Sequence, residues 1–146
     1  MAEIKRTGRA VWRGDLRGGA GNISSESGAL QEERYSFGTR FERAPGTNPE
    51  ELIAAAHAAC YSMAFANELA QQGYRPQSIE TEAVCTLEPQ DGGFKITQMR
   101  LQTRGRVPDI DASTFEQIAE QADGNCPVSN LLRPGLTIER EVTLVK

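Results

Sequence analysis

The chain has 146 residues, a formal net charge of -4, a pI near 5.1 and a hydrophobic content of 38%. This is the size of one compact unit with a modest core, so the expectation is a single domain over residues 1–146. The acidic balance removes the broad basic surface that phosphate-backbone binding needs, and nucleic acid is excluded as a partner class.

From Met1 to Arg13 charged and polar residues alternate without an apolar run, which predicts neither a signal peptide nor a membrane anchor and points to the cytoplasm. Short runs at Arg9 to Trp12 and Gly21 to Ser25, punctuated by Arg13-Gly14-Asp15 and Gly18-Gly19, read as a β-hairpin. A third strand is expected from Tyr35 to Phe41, with Tyr35, Phe37, Thr39 and Phe41 on one face and Arg40 on the other. Next, Asn48-Pro49-Glu50-Glu51 offers a capping side chain, proline at the first helical position and acids in the first turn, so a helix begins there.

Leu52 to Ala66 contains no charged side chain and Gly73 supplies a terminator, which predicts a long, buried central helix. The stretch is shorter and richer in alanine than the roughly 20 strongly apolar residues of a membrane span. A domain of this size cannot wrap a helix on all sides, and an obligate homodimer is inferred in which a second copy covers part of it.

Beyond the helix, Ile79, Ala83, Cys85 and Leu87 alternate with Glu80, Glu82 and Glu88. After the turn Gln90-Asp91-Gly92-Gly93, a partner strand runs from Phe94 to about Val107 and completes a second hairpin. Asp111 or Ser113 caps a helix carrying Phe115, Ile118 and Ala119, which Gly124 stops before Cys126-Pro127 opens another short helix. Leu136, Ile138, Val142 and Leu144 mark a closing strand. The order is βββ-α-ββ-αα-β, an α+β class, with no repeat or linker to divide it.

Three cysteines, Cys60, Cys85 and Cys126, are too few and too dispersed for a disulfide-stapled mini-domain. Cys126 precedes a proline at a helix start, where free backbone N–H groups favour a thiolate. Cys60 lies mid-helix among alanines, where burial raises a thiol pKa, so reactivity there requires an imported cation, for which Arg40 is the candidate. Cys85, on the apolar phase of a strand, reads as core packing. His57-x-x-Cys60 together with Cys126 would give three zinc ligands, but no fourth ligand or second short-spaced pair accompanies them, and a packed core histidine is the plainer reading. Gly18-Gly19-Ala20-Gly21 lacks the lysine of a P-loop and the spacing of a dinucleotide fingerprint, so it reads as a turn.

Taken together, Thr39-Arg40-Phe41, Gly46-Thr47-Asn48-Pro49-Glu50-Glu51-Leu52, Ala55-Ala56-His57-Ala58-Ala59-Cys60 and Asn125-Cys126-Pro127-Val128-Ser129 resemble the OsmC/Ohr superfamily across nearly the whole chain. The arginine just ahead of the helix is similar to the OsmC branch rather than the Ohr branch. The resemblance implies an intertwined homodimer with bent antiparallel sheets around long central helices and two active sites at the interface. It implies reduction of alkyl or lipid hydroperoxides to alcohols in oxidative or osmotic stress defence. In it Cys60 is the peroxidatic nucleophile, Cys126 the resolving thiol, Arg40 the activating cation and Glu50 the carboxylate that orients the arginine. A dithiol, in this family a dihydrolipoyl protein, would reduce the resulting disulfide, with no metal, flavin or haem required. Helix-terminus electrostatics alone rank Cys126, not Cys60, as the better thiolate.

Two expectations complete the reading. Met63, Phe41 and Tyr61 are taken to line an apolar approach for the substrate. Glu50 and Cys60 stand ten residues apart on one helix, about 15 Å along its axis, so a site containing both would take Glu50 from the partner chain. A rival reading is a dimeric carrier of an apolar ligand whose cysteines only pack.

Overall fold

The first strands carry turn residues at each end and few apolar side chains, and they pair with their neighbours in sequence. A computed structural model describes residues 2–146, in two compact units, one through Leu52 and one over Ile53–Lys146. In the first, β1 (Gly8–Arg13), β2 (Ala20–Ser25) and β3 (Glu33–Tyr35) form an antiparallel sheet in that order. Trp12 pairs with Gly21 and Gly21 with Tyr35 across the sheet. A Cβ at Gly21 would meet the Tyr35 ring at 2.5 Å and the Trp12 ring at 2.9 Å. Its absence lets the two rings close over the strand at 5.3 Å between centroids.

The strand expected over Tyr35 to Phe41 is instead the end of β3 followed by a short helix, α1 (Phe37–Phe41). The reason is local. Ser36 accepts a hydrogen bond from the Thr39 backbone N–H at 3.2 Å, and Thr39 Oγ1 accepts one from the Ser36 N–H at 2.8 Å. This reciprocal box satisfies two orphan donors of a first turn. Phe37 and Phe41, spaced four apart, then stack at 4.8 Å on one helical face. Arg40 therefore sits in the last turn of a helix and not on the outer face of a strand.

The long helix α2 (Pro49–Gln71) opens where the sequence places it, with Asn48 Oδ1 accepting the Glu51 N–H at 2.7 Å. It closes with the Tyr74 N–H on the Leu69 carbonyl at 3.0 Å, past Gly73. Only one stripe of it is buried. His57, Tyr61, Phe65 and Leu69 are fully enclosed, whereas Ala55, Ala56, Ala59 and Met63 are exposed, Met63 to 74%. The helix is thus only half-covered by its own chain, with a second face of small alanines left open.

In the second unit, β4 (Ser78–Gln90) and β5 (Gly93–Arg106) are antiparallel around Asp91-Gly92, both at positive φ, the geometry of a two-residue hairpin turn. Then come α3 (Ala112–Asn125), capped by Asp111 at 2.7 Å from the Thr114 N–H, α4 (Pro127–Leu132) and a 3-10 turn at Arg133–Gly135. The last strand, β6 (Thr137–Val145), lies parallel to β5. The expectation of antiparallel sheets fails here, since α3 and α4 form the crossover that a parallel pairing requires. The α+β class stands, with the order βββ-αα-ββ-αα-β. The core gathers Tyr61, Phe65, Leu69, Met99, Leu101 and Phe115, the last two aromatics 4.8 Å apart between ring centroids for Phe65 and Phe115. Among the described residues, no helix is long and apolar enough to cross a membrane.

Candidate active site

Each unit holds one pair of the four residues singled out by the sequence. In the first, α1 and the start of α2 bring Arg40 to Glu50. The guanidinium makes a two-pronged contact, Nε to Oε1 at 2.9 Å and Nη2 to Oε2 at 3.0 Å. Glu50 is buried to 7% exposure while the Arg40 side chain keeps 35%, so the pair has a shielded acid and a cation that still reaches solvent. An arginine fork fixed on one carboxylate is held in orientation as well as position, and Nη1 remains free to donate elsewhere.

The loop before α2 is built for this contact. Gly46 has φ +140, and a Cβ there would strike Thr39 Cγ2 at 2.7 Å and the Arg34 carbonyl at 2.8 Å. Thr47 donates its N–H to that same carbonyl at 2.9 Å, and Asn48 Nδ2 donates to the Thr39 carbonyl at 3.1 Å. The first bond ties the loop before α2 to β3 and the second ties the cap of α2 to α1, and with it Arg40 to Glu50. Beside Arg40 lies a cavity of about 220 Å³ lined by Trp12, Leu16, Tyr35, Phe37 and Phe41. Phe41, one of the side chains expected to line an apolar approach, borders this cavity. Tyr61 is enclosed, its hydroxyl donating to the Ala119 carbonyl at 3.0 Å, and Met63 stands on the exposed alanine stripe.

In the second unit, Cys60 of α2 meets Cys126, which ends α3 and begins α4. The two sulfurs stand 3.4 Å apart and are not bonded. Cys126 is fully buried and is the N-cap of α4, its sulfur accepting the Ser129 N–H at 3.5 Å, with Pro127 at the first helical position. Burial pushes the Cys60 thiol above its ordinary range. A hydrogen bond from the Val128 backbone N–H draws it partly back, and the neighbouring Cys126 pushes it up again. No cation figures among these influences. Within its own unit Cys60 is therefore a poor thiolate, as its setting in the middle of a helix implies.

The sequence singles out His57 as a packed histidine but discloses neither its partner nor the acid behind the sulfurs. His57 and Ser129, both fully buried, hydrogen bond Nε2 to Oγ at 2.7 Å. Asp123, at the end of α3, accepts from Arg133 Nη2 at 3.0 Å and lies 3.6 Å from Arg140 Nε, anchoring the turn whose Cys126 N–H bonds the Asp123 carbonyl. The only linear signal for these was their spacing around Cys126. His57 turns its Nε2 to a serine rather than to a sulfur, and among the described residues no group of three or more His, Cys, Asp or Glu side chains is placed to hold a metal ion. Cys85 packs against the core from β4.

The sequence profile of OsmC-like proteins matches residues 42–141, a span that includes Glu50, Cys60 and Cys126 and begins just after Arg40. The chain belongs to the OsmC family. It is 48% identical over 139 residues to Peroxiredoxin OsmC of Escherichia coli K12, covering 95% of this chain and 97% of that one. To the organic hydroperoxide resistance protein OhrB of Bacillus subtilis it is 32% identical over 129 residues, covering 86% and 92%. The higher identity to OsmC agrees with the branch read from the position of the arginine. The crystal structure of OhrB of B. subtilis superimposes with a TM-score of 0.71 at 26% identity over 94% of this chain and 98% of that one. The OsmC-like protein of Mycoplasma pneumoniae gives 0.76 at 18% identity over 99% and 100%, a likeness of fold.

Proposed function

We propose that this OsmC-family chain is a cysteine-based peroxidase that reduces organic hydroperoxides to alcohols. The observation that carries this is the Cys60–Cys126 couple, two free thiols with their sulfurs 3.4 Å apart and the Ser129 backbone N–H on the Cys126 sulfur. The names of its relatives, a peroxiredoxin and an organic hydroperoxide resistance protein, support the substrate class.

The Cys60 thiolate attacks the outer peroxide oxygen. An S–O bond forms, the O–O bond breaks, and the electron pair leaves with the alkoxide, which takes a proton to become the alcohol. A guanidinium beside the reacting atoms stabilises both the thiolate and the growing alkoxide charge, and this is the role assigned to Arg40, oriented by Glu50. The sulfur of Cys126 then displaces hydroxide from the Cys60 sulfenic acid, which leaves as water and forms the Cys60–Cys126 disulfide. A dithiol, such as a dihydrolipoyl protein, supplies two electrons and two protons to reopen it. The sulfur carries both electrons, so the cycle calls for no prosthetic group.

No cation is among the influences on the Cys60 thiol, and ten residues of helix, about 15 Å, separate it from Glu50. The reading that reconciles these is a homodimer in which the Arg40–Glu50 pair of one copy serves Cys60 of the other. The exposed Ala55, Ala56, Ala59 and Met63 face of α2 supports such a partner. The remaining parts of the reading are that the chain acts as one functional domain and works in the cytoplasm.

The decisive experiment is consumption of cumene hydroperoxide with a dithiol supplied. Cys60→Ser is expected to abolish it. Cys126→Ser should complete one turnover and stop, leaving a sulfenic acid that dimedone traps. Mixing unfolded Arg40→Met and Cys60→Ser chains and refolding them together should restore roughly a quarter of wild-type activity, since half the dimers then hold one intact composite site. A mixture as inactive as its parents overturns the shared site. A Cys60→Ser chain with full activity overturns Cys60 as the peroxidatic sulfur, and a wild-type chain that consumes no hydroperoxide overturns the peroxidase.

A further inference from the structure

His57 lies on α2 one turn ahead of Cys60, and Ser129 lies in the first turn of α4, three residues after Cys126. They are 72 residues apart in sequence and joined by one bond, Nε2 to Oγ at 2.7 Å, with both side chains wholly enclosed. The other imidazole nitrogen, Nδ1, is buried without a partner. A polar pair of this kind, half-satisfied, costs stability relative to an apolar pair of the same volume. Packing alone gives no reason for it.

The geometry around it does. Ser129 lies in the first turn of α4, and its backbone N–H serves the Cys126 sulfur, while the amide of its neighbour Val128 is one of the influences on the Cys60 thiol. The amide that holds the Cys126 sulfur belongs to the same serine whose hydroxyl is held by His57. One bond thereby links the helix carrying one cysteine to the turn carrying the other, within a turn of each. Burial favours the neutral imidazole, which has a single N–H. That proton belongs on Nε2, donated to Ser129, because a bare acceptor at Nδ1 is the less costly orphan.

We propose that His57 and Ser129 are positioning residues whose hydrogen bond pins the first turn of α4 against α2, setting the approach of the Cys60 and Cys126 sulfurs and the Ser129 amide that faces Cys126. Its use in the catalytic cycle rests on the peroxidase reading, but the geometric claim is independent of it. Disulfide formation can be driven without peroxide: the two thiols give up two electrons and two protons while glutathione disulfide is reduced to two glutathione thiols. The midpoint of that equilibrium measures the effective concentration of one cysteine at the other.

The test equilibrates the full-length protein in glutathione redox buffers and counts free thiols by alkylation and mass spectrometry. Ser129→Ala and His57→Leu should each lower the effective concentration roughly tenfold. The double variant should fall no further than the worse single one. His57→Gln, whose amide nitrogen can stand where Nε2 stands, should return to within about threefold of wild type. A general loss of stability in a chain that remains folded would not produce this pattern. Wild-type effective concentration in a folded Ser129→Ala overturns the proposal. That variant removes a single oxygen atom and carries the test alone if His57→Leu does not fold. Loss of effective concentration in Ser129→Ala, with no hydroperoxide consumption by wild type, would leave the positioning role standing and remove the peroxidase. Full consumption with unaltered effective concentration would do the reverse.

Discussion

The Arg40 corner and the Cys60–Cys126 couple solve opposite problems. The first is an ion pair with every visible demand met: a two-pronged fork, a shielded acid and a loop tied down by Thr47 and Asn48. The second is a pair of sulfurs whose surroundings work against charge, with burial as the leading influence on Cys60. Within each unit the balance is struck differently: a carboxylate holds the guanidinium in its charged form, whereas burial holds the Cys60 thiol in its neutral one.

Removing the cation tests this contrast most severely. Arg40→Met is expected to slow the reaction of Cys60 with cumene hydroperoxide by about a hundredfold or more in stopped-flow measurements, with Arg40→Lys intermediate because it keeps charge but loses the fork. An unchanged rate would mean that Cys60 ionises by local means alone. Next in size is the exposed face of α2. Met63→Lys should weaken self-association by at least about tenfold in light scattering across a dilution series, and peroxidase activity should fall with the dimer fraction.

A smaller effect probes how the arginine is carried. Ser36→Ala removes the reciprocal cap of α1 and should cost about 1 kcal/mol in urea unfolding, with a rise in the KM for hydroperoxide as Arg40 loses its footing. The smallest is a pH dependence on the sulfur side. His57 is held below its ordinary value, first by burial and further by Arg133, with Asp123 opposing. Its unfolded form therefore takes up a proton below about pH 6.5 while the folded form does not, so its contribution is complete above that pH and stability declines as pH falls through and below it. His57→Gln should remove this component of the slope in urea midpoints measured from about pH 7.5 down to 5.

Local chemistry in the sequence was readable wherever one short segment decides the outcome. Asn48-Pro49 starts α2, Asp91-Gly92 turns the second hairpin, Asp111 caps α3, and Cys126-Pro127 opens α4. The segment Phe37–Phe41 misled because its rings satisfy a strand's period of two and a helix's spacing of four at once, and the cap formed by Ser36 and Thr39 decides between them. The direction of β6 was not legible, since an alternating strand has the same pattern whichever way its neighbour runs. His57 was read as a packed histidine because its partner lies 72 residues away, a distance at which no spacing rule operates.

The complete burial of Cys126 has a consequence for how the cycle restarts. Once the sulfurs close from 3.4 Å to the roughly 2 Å of a covalent bridge, one side of that bridge has no surface at all. In the proposed cycle a reductant would meet the bridge from the Cys60 side alone, so regeneration would be one-ended: the mixed disulfide made on Cys60 and Cys126 the sulfur set free.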